Sequence, residues 1–382
     1  MIPYGRQDIN QQDIDAVVAV LQSDWLTQGP AVPRFESAVA QYCGVPHAVA
    51  VNSATSALHL ACLALGLGPG DALWTSPNTF VASANCARYC GAEVDFVDID
   101  PRTYNMSVDA LAEKLARAAE ADRLPKVVVP VAFAGQSCDM RAIRALAERY
   151  GFAIIEDASH AIGAQYQGQP VGCCEYAEIT IFSFHPVKII TTGEGGMALT
   201  RDDALAKTMR LLRSHGITRE TSEMHEEADG PWYYQQIGLG YNDRMTDMQA
   251  ALGASQMARL DVFVERRLAL AACYELLLKD LPVTTPFQSP DGRSAMHLYP
   301  IVLHEAVRRR EVFERLRAAG IGVNVHYIPV HTQPYYRALG FRAGDFPQAE
   351  AYYAGAISLP MYPGLSEGEQ DYVVQTLREA LA

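Results

Sequence analysis

A doubly wound α/β fold with a mostly parallel sheet is what this sequence predicts, and three features predict it. Between residues 47 and 200, short apolar runs alternate with segments of helical periodicity. The runs end abruptly in polar or small residues, as at Asn52-Ser53, Glu156-Asp157 and Ser183. The chain has 382 residues, too many for one simple core and typical of two domains. The reading is a large domain over residues 1–250, with an N-terminal arm, and a smaller α+β domain over residues 251–382.

In order, Tyr4 to Ile9 is the arm. Asn10 is placed to cap a helix whose apolar positions Ile14, Val17, Val18 and Leu21 recur at helical spacing. Gly29-Pro30 makes Asp24 to Pro30 a loop. A helix over Val32 to Tyr42 ends at Gly44, and His47 to Val51 is a strand. Gly66 to Asp71 is a turn, because its spacing and its place after a helix do not suit a dinucleotide loop. Asp71 to Thr75 is a strand, and a helix starts within Asn78 to Ser83. Strands at Glu93 to Val97 and Lys126 to Val131 flank a helix beginning near Val108. Asp139 caps a helix that ends before Gly151.

The apolar run from Phe152 stops at Glu156-Asp157, Glu178 to Phe184 is the next strand, and Met197 to Thr200 another. A helix through Leu205, Met209 and Leu212 follows, then a polar, acidic loop over Arg219 to Gly230. One long helix is expected from Thr246 to about Lys279. The second domain then reads strand (His297 to Leu303), helix (Val307 to Ala319), strand (Gly322 to His326) and a final amphipathic helix. There is no internal repeat and no low-complexity linker.

Bulk composition narrows the function. Hydrophobic content of 49% and charged content of 20% describe an ordinary soluble globular protein. No apolar run approaches the roughly 18 residues of a membrane span. Met1 to Arg6 lacks the basic and apolar regions of a signal peptide, so a cytoplasmic location is expected. A net charge of −13 argues against nucleic acid as a partner. The eight cysteines, at 43, 62, 86, 90, 138, 173, 174 and 273, lie mostly in apolar surroundings. Cys86 and Cys90 are one helical turn apart, but no second pair completes a zinc site in the sequence, so free thiols and no metal are expected.

Lys188 lies between the apolar strand Glu178 to Phe184 and the turn Gly193 to Gly196. Desolvation lowers the pKa of such a lysine and frees a neutral amine, which can form a Schiff base with an aldehyde cofactor. It also suits a surface lysine whose stem lies along apolar residues. Asp157 ends its strand where parallel sheets bind ligands. It suits a carboxylate facing the ring nitrogen of pyridoxal 5'-phosphate (PLP), or a helix N-cap. Asn52 to Ser56 joins a strand to a helix. Its backbone N–H groups, with the hydroxyls of Thr55 and Ser56, suit a phosphate or plain capping. Phe80 suits ring stacking or the core, and Trp25 a sugar contact or a loop anchor. His326 and Tyr327 suit a substrate mouth or a satisfied surface.

Asp157-Ala158-Ser159-His160-Ala161, Ser183-Phe184-His185-Pro186-Val187-Lys188 and Gly193-Glu194-Gly195-Gly196 together resemble the DegT-like family of PLP-dependent sugar-nucleotide aminotransferases. The resemblance spans nearly the whole chain and implies a fold-type I PLP-dependent transferase. It implies that Lys188 anchors the cofactor and carries protons, with Asp157 on the ring nitrogen. It adds Ala54, Thr55, Ser56, Phe80, His160, Ser183 and, from a neighbouring subunit, Asn242 to the cofactor site. For substrate it implies Tyr4, Trp25, Leu26, Thr27, His185, Arg213, His326 and Tyr327. Asp243 departs from the pattern, since many relatives carry an aromatic there.

The resemblance further implies glutamate as amino donor and a homodimer with shared active sites. Leu26 to Gly29, Asn52 to Leu58, Arg213 to Gly216 and His297 to Pro300 look most like one branch. That branch aminates C4 of a UDP-linked 4-keto-6-deoxy-N-acetylhexosamine in pseudaminic acid biosynthesis. Sister branches aminate other UDP-, GDP- or dTDP-linked keto sugars at C3 or C4. Two other classes compete: a sugar dehydratase with histidine in place of the lysine, against which Lys188 argues, and a non-catalytic sugar-nucleotide binding protein.

Overall fold

The computed structural model describes all of residues 1–382. Helix α1 (Gln11–Leu21) opens with a capping box, in which Asn10 and Asp13 exchange side-chain-to-backbone hydrogen bonds. Its burial is the reverse of what the apolar spacing implies. Ile14, Val18 and Leu21 are 47, 40 and 56% exposed, whereas Asp13 is fully buried. The Asp13 carboxylate pairs with Arg259 and accepts from Ser255 and Gln256, so specific polar partners set this helix's orientation.

Helix α2 (Ala31–Cys43) ends at Gly44, whose φ of 65° is the left-handed cap a glycine adopts freely. Then β1 (His47–Val51), α3 (Ala54–Ala64), β2 (Ala72–Thr75), α4 (Ala82–Tyr89), β3 (Glu93–Phe96), α5 (Val108–Glu120), β4 (Val127–Val129), α6 (Met140–Tyr150) and β5 (Ala153–Asp157) alternate. The two-residue strands β6 (Gln165–Tyr166) and β7 (Gln169–Pro170) form a hairpin. Strands β8 (Ile179–Ser183) and β9 (Gly196–Thr200) and helix α7 (Asp203–Leu212) complete this part, with β10 (Ile217–Thr218) paired to β11 (Gln235–Gln236).

The central sheet has the order β1-β9-β8-β5-β4-β2-β3. Only β9 runs antiparallel to its neighbours, so β1, β8, β5, β4, β2 and β3 all end at one edge. Helices cover both faces, which is why the strands read as continuous apolar runs. On one face Ile155 and Ile181 pack with Leu58 of α3 and Met209 of α7. On the other, Val128 and Ile154 pack with Leu111 of α5 and Ile143 of α6.

The long helix expected after Thr246 is two helices, α8 (Asp247–Met257) and α9 (Leu260–Leu278). The break falls at Ala258-Arg259, where the Arg259 guanidinium reaches out to Asp8 and Asp13. Beyond it lie β12 (Val283–Thr284), β13 (Gly292–Arg293), β14 (Tyr299–Leu303), α10 (Arg309–Ala318), α11 (Pro334–Ala338), α12 (Pro347–Gly355), β15 (Ala356–Leu359) and α13 (Glu367–Leu381). Strands β12, β14 and β15 form a small antiparallel sheet. The strand expected over Gly322 to His326 is absent. That segment divides its hydrogen bonds between the N-terminal arm, through Ile2, and Ser358, so no ladder forms. No helix is long and apolar enough to cross a membrane.

Candidate active site

The carboxyl edge of the sheet gathers the candidate residues. Strands β1, β5 and β8 end there at Val51, Asp157 and Ser183, and β9 starts beside them at Gly196. Asp157 is buried. Its Oδ1 accepts the N–H of Ser159 at 3.1 Å, and its Oδ2 accepts the Ser83 hydroxyl at 2.6 Å. Turns, not a helix, follow Asp157, so it is no N-cap. Ser83 sits in the first turn of α4, with its hydroxyl 2.8 Å from Thr79 Oγ1. Nothing in the sequence marked Ser83, because a serine at a helix start is commonplace.

Lys188 lies half-buried in the turn after β8 and donates its N–H to the His185 carbonyl at 2.9 Å. Burial draws its amine down to about 8, against the opposing pull of the Asp157 carboxylate. Around it stand three imidazoles that burial and the Lys188 charge hold neutral. These are His160 and His297, both driven well below the ordinary range, and His326, driven to about 3. His160 Nε2 is 3.1 Å from the Tyr327 hydroxyl, and its ring centroid is 4.4 Å from that of His297. Tyr327 donates its N–H to Asn78 Oδ1 at 3.3 Å; burial, then the Asp157 charge, push its phenol up. His326 Nδ1 is 2.8 Å from Ser358 Oγ, and its ring is 5.5 Å from Tyr4. Sequence reasoning quoted His297 without giving it a role and named Asn78 only in a helix start. His297 has one local signal, a polar residue set among apolar ones; Asn78, between Pro77 and Thr79, has none.

The N-terminus of α3 faces the same edge. Ser53 caps it, accepting from Ser56 N–H at 3.1 Å, which leaves the N–H groups of Ala54 and Thr55 in the unpaired first turn. The Ser56 hydroxyl is committed to Asn52 Oδ1 at 2.7 Å. Strand β9 presses so close that a Cβ on Gly196 would stand 2.4 Å from the Ala54 nitrogen. Asn242 lies nearby in the same chain, its carbonyl accepting from Asn52 Nδ2 at 3.4 Å, and is itself exposed. Ser183 is buried at the end of β8.

The remaining candidates fall into two groups. Phe80, Trp25, Leu26 and His185 are exposed. Phe80 tilts toward Tyr327 with centroids 6.4 Å apart, and Thr27 is bridged through its backbone to Thr246. Arg213 is committed: its Nη1 donates to Glu36 at 2.6 Å and to the Ala50 carbonyl at 2.7 Å. It lines a cleft of about 220 Å³ with Gln28, Glu36 and Arg244, so its first role is to brace β1.

A half-buried amine, a buried carboxylate and neutral imidazoles on the carboxyl edge of such a sheet suit amino-group chemistry. Comparison with known proteins agrees. Residues 7–378 match the model of the DegT/DnrJ/EryC1/StrS aminotransferase family. The chain belongs to that family. It is 42% identical to the spore coat polysaccharide biosynthesis protein SpsC of Bacillus subtilis, over 99% of this chain and 96% of that one. It is 38% identical to the UDP-4-amino-4,6-dideoxy-N-acetyl-beta-L-altrosamine transaminase of Campylobacter jejuni, again over 99% and 96%. Its fold matches Helicobacter pylori PseC, an aminotransferase involved in the biosynthesis of pseudoaminic acid. That match has a TM-score of 0.91 and 31% identity and covers 100% of this chain and 99% of that one.

A DegT/DnrJ/EryC1/StrS aminotransferase is PLP-dependent, and so is this one. The residues present fit that group. Lys188 offers an amine of lowered basicity, Asp157 a buried carboxylate, and the first turn of α3 unpaired N–H donors. His160 Nδ1 is buried without a hydrogen-bond partner, an orphan that a bound polar ring would satisfy.

Proposed function

We propose that the enzyme moves an amino group from glutamate to C4 of a UDP-linked 4-keto-6-deoxy-N-acetylhexosamine, as in pseudaminic acid biosynthesis. The observation that carries the amino-transfer part is the Lys188 amine, drawn to about 8 beside Asp157 at the sheet's carboxyl edge. The likeness to the Campylobacter transaminase and to PseC supports the sugar. The proposal places the enzyme in the cytoplasm with its activated sugar and glutamate.

When bound, PLP supplies an electron-withdrawing ring that stabilises negative charge at the donor's α-carbon and stores the amino group between half-reactions. Lys188 holds the cofactor covalently at rest. With the cofactor in place, Nζ of Lys188 would carry the proton removed from the donor's α-carbon, the work of a base poised near neutral pH. Asp157 keeps the ring nitrogen protonated, and the Ser83 hydroxyl and Ser159 N–H hold that carboxylate in place. The N–H groups of Ala54 and Thr55, with Ser183, take the phosphate. Phe80 covers the ring, and His160, steadied by Tyr327, borders it. Tyr4, Trp25, Leu26, Thr27, His185 and His326 face the substrate, and Arg213 braces the strand beneath. Asn242, exposed beside the α3 turn, completes the phosphate site of a second subunit, so the working unit is a homodimer.

The test is to incubate the purified enzyme with glutamate and a panel of nucleotide-linked keto sugars, and to identify each amino sugar formed. Amination at C4 of the UDP-linked 4-keto-6-deoxy-N-acetylhexosamine supports the proposal; product from every other sugar but that one overturns it. A second reading, a keto sugar of another polysaccharide pathway, is favoured by the similarity to SpsC.

A further inference from the structure

Asn78 lies in the bend between β2 and α4, and the proposed amino transfer gives it no task. It is 1% exposed, and both ends of its amide are committed to backbone groups distant in sequence. Nδ2 donates to the Tyr104 carbonyl at 3.2 Å, and Oδ1 accepts the Tyr327 N–H at 3.3 Å. These partners fix which way the amide faces, because a carbonyl takes only a donor and an N–H only an acceptor. The adjacent Pro77 carbonyl accepts the N–H of Val330 at 2.9 Å, so the bend holds the segment after His326 at two points. On its other side the Thr79 hydroxyl is 2.8 Å from that of Ser83, which donates to Asp157.

The contacts close into a ring. From Asp157 they run through Ser83 and Thr79 to Asn78, across to Tyr327, and from the Tyr327 hydroxyl to His160 Nε2 at 3.1 Å. His160 stands three residues after Asp157 and returns the ring to its start. One bend therefore holds Asp157 through two hydroxyls and His160 through Asn78 and Tyr327.

His160 Nε2 is the partner of the Tyr327 hydroxyl. Burial and the Lys188 charge hold that imidazole neutral, so one of its nitrogens carries the proton. A neutral imidazole nitrogen is a better acceptor than a phenol oxygen, so the phenol donates to Nε2 and the ring proton sits on Nδ1. Nδ1 is the buried atom left without a partner, and in this tautomer it is an unused donor.

We propose that Asn78 is a positioning residue for the reaction: by holding the Tyr327 backbone it sets the phenol that fixes His160 as the Nδ1–H tautomer, with that N–H free for an acceptor on the cofactor. Its part in the reaction rests on the amino-transfer reading; the tautomer rests on the hydrogen bonds alone.

The tautomer is read in cofactor-free, full-length protein carrying nitrogen-15 histidine, by NMR of the ring nitrogens. His160 is identified by the signals that vanish in His160→Gln. The expected result is a neutral ring protonated at Nδ1 in the unmutated protein. Tyr327→Phe removes only the hydroxyl, and Asn78→Ala releases the Tyr327 backbone; each turns His160 into a mixture of both tautomers. Asn78→Asp keeps the acceptor and retains the Nδ1–H form, so the proposal stays testable if Asn78→Ala does not fold. In the PLP-loaded enzyme, the single-turnover half-reaction with glutamate, followed by cofactor absorbance, slows about tenfold in either Asn78→Ala or Tyr327→Phe. The double variant is no slower than Tyr327→Phe, because Asn78 acts through that phenol. Protonation at Nε2 in the unmutated protein, an unchanged tautomer in Tyr327→Phe or Asn78→Ala, loss of the Nδ1–H form in Asn78→Asp, or additive slowing in the double variant overturns the proposal. Because the tautomer is read without cofactor, failure of the amino transfer would leave that readout unchanged, and loss of the tautomer would leave the amino transfer standing.

Discussion

The hydroxyl of Ser83 donates to Oδ2 of Asp157 at 2.6 Å, across 74 residues of chain. A hydrogen bond to a buried carboxylate is among the stronger ones, worth about 1.5–3 kcal/mol. It fixes the carboxylate that is proposed to face the cofactor's ring nitrogen. Ser83→Ala is expected to lower turnover roughly 10- to 100-fold while leaving the fold intact. Asp157→Asn is expected to lower it by roughly two orders of magnitude or more, with PLP still bound through its phosphate. Steady-state kinetics with spectroscopic titration of PLP checks both. Near-normal transamination by Asp157→Asn would reduce Asp157 to a turn acceptor.

Lys188→Ala is expected to abolish turnover, because covalent anchor and proton carrier are one amine. Borohydride reduction and peptide mapping of the unmutated enzyme should place the pyridoxyl label on Lys188. The amine also leaves a signature in cofactor-free protein. Its folded value of about 8 lies below the 10.5 of an unperturbed lysine, so between those values the unfolded chain binds more protons. Folding stability therefore gains from this group as pH rises from about 8 to about 10.5. The difference in denaturation midpoint between unmutated protein and Lys188→Met should change over that window and be flat below it. A label on another lysine, or a flat difference throughout, would refute the assignment.

Glu156 precedes Asp157 on β5 and so points to the opposite face of the sheet. Burial, opposed by the hydroxyls of Thr180 and Ser137 and assisted by the charge of Asp157, pushes it up to about 7. The Thr180 hydroxyl donates to its Oε2 at 3.0 Å. Between the ordinary value of 4.5 and about 7 the folded protein binds the extra proton. Stability from this group is complete below about 4.5 and is lost as pH rises through about 7. Glu156→Gln keeps the acceptor and stays neutral, so it should be the more stable protein above pH 7, on the order of 2 kcal/mol. Urea unfolding at pH 5 and pH 8 decides: an equal offset at both rules out a titrating Glu156.

Shared active sites can be tested by mixing subunits. A Lys188→Ala chain and an Asn242→Ala chain are each impaired alone. In a mixed dimer with shared sites, one site carries both lesions and the other carries neither, so activity should return in the mixture. If subunit exchange is demonstrated and the mixture never exceeds the sum of its parents, Asn242 serves its own chain and the shared-site proposal falls.

By itself the sequence determined what is local. Alternating apolar strands and helical segments yielded the central sheet, because each strand is buried on both faces and must be apolar throughout. The rule that ligands meet the carboxyl ends of parallel strands marked Asp157, an amine between an apolar strand and a Gly-rich turn marked Lys188, and the free N–H groups of a helix start marked the Asn52–Ser56 turn. Tertiary structure decided what depends on partners distant in sequence. Apolar spacing put Ile14 toward the core, yet Asp13 is the buried residue, because Arg259, Ser255 and Gln256 meet it there. The same Arg259 interrupts a helical pattern that reads as continuous. Ser83 on Asp157 and His297 against His160 leave no periodic trace, since each pairing is made by helix and strand packing between segments whose own sequences are satisfied either way. Local propensity and burial pattern are written residue by residue; the choice of polar partner is made only when the layers close.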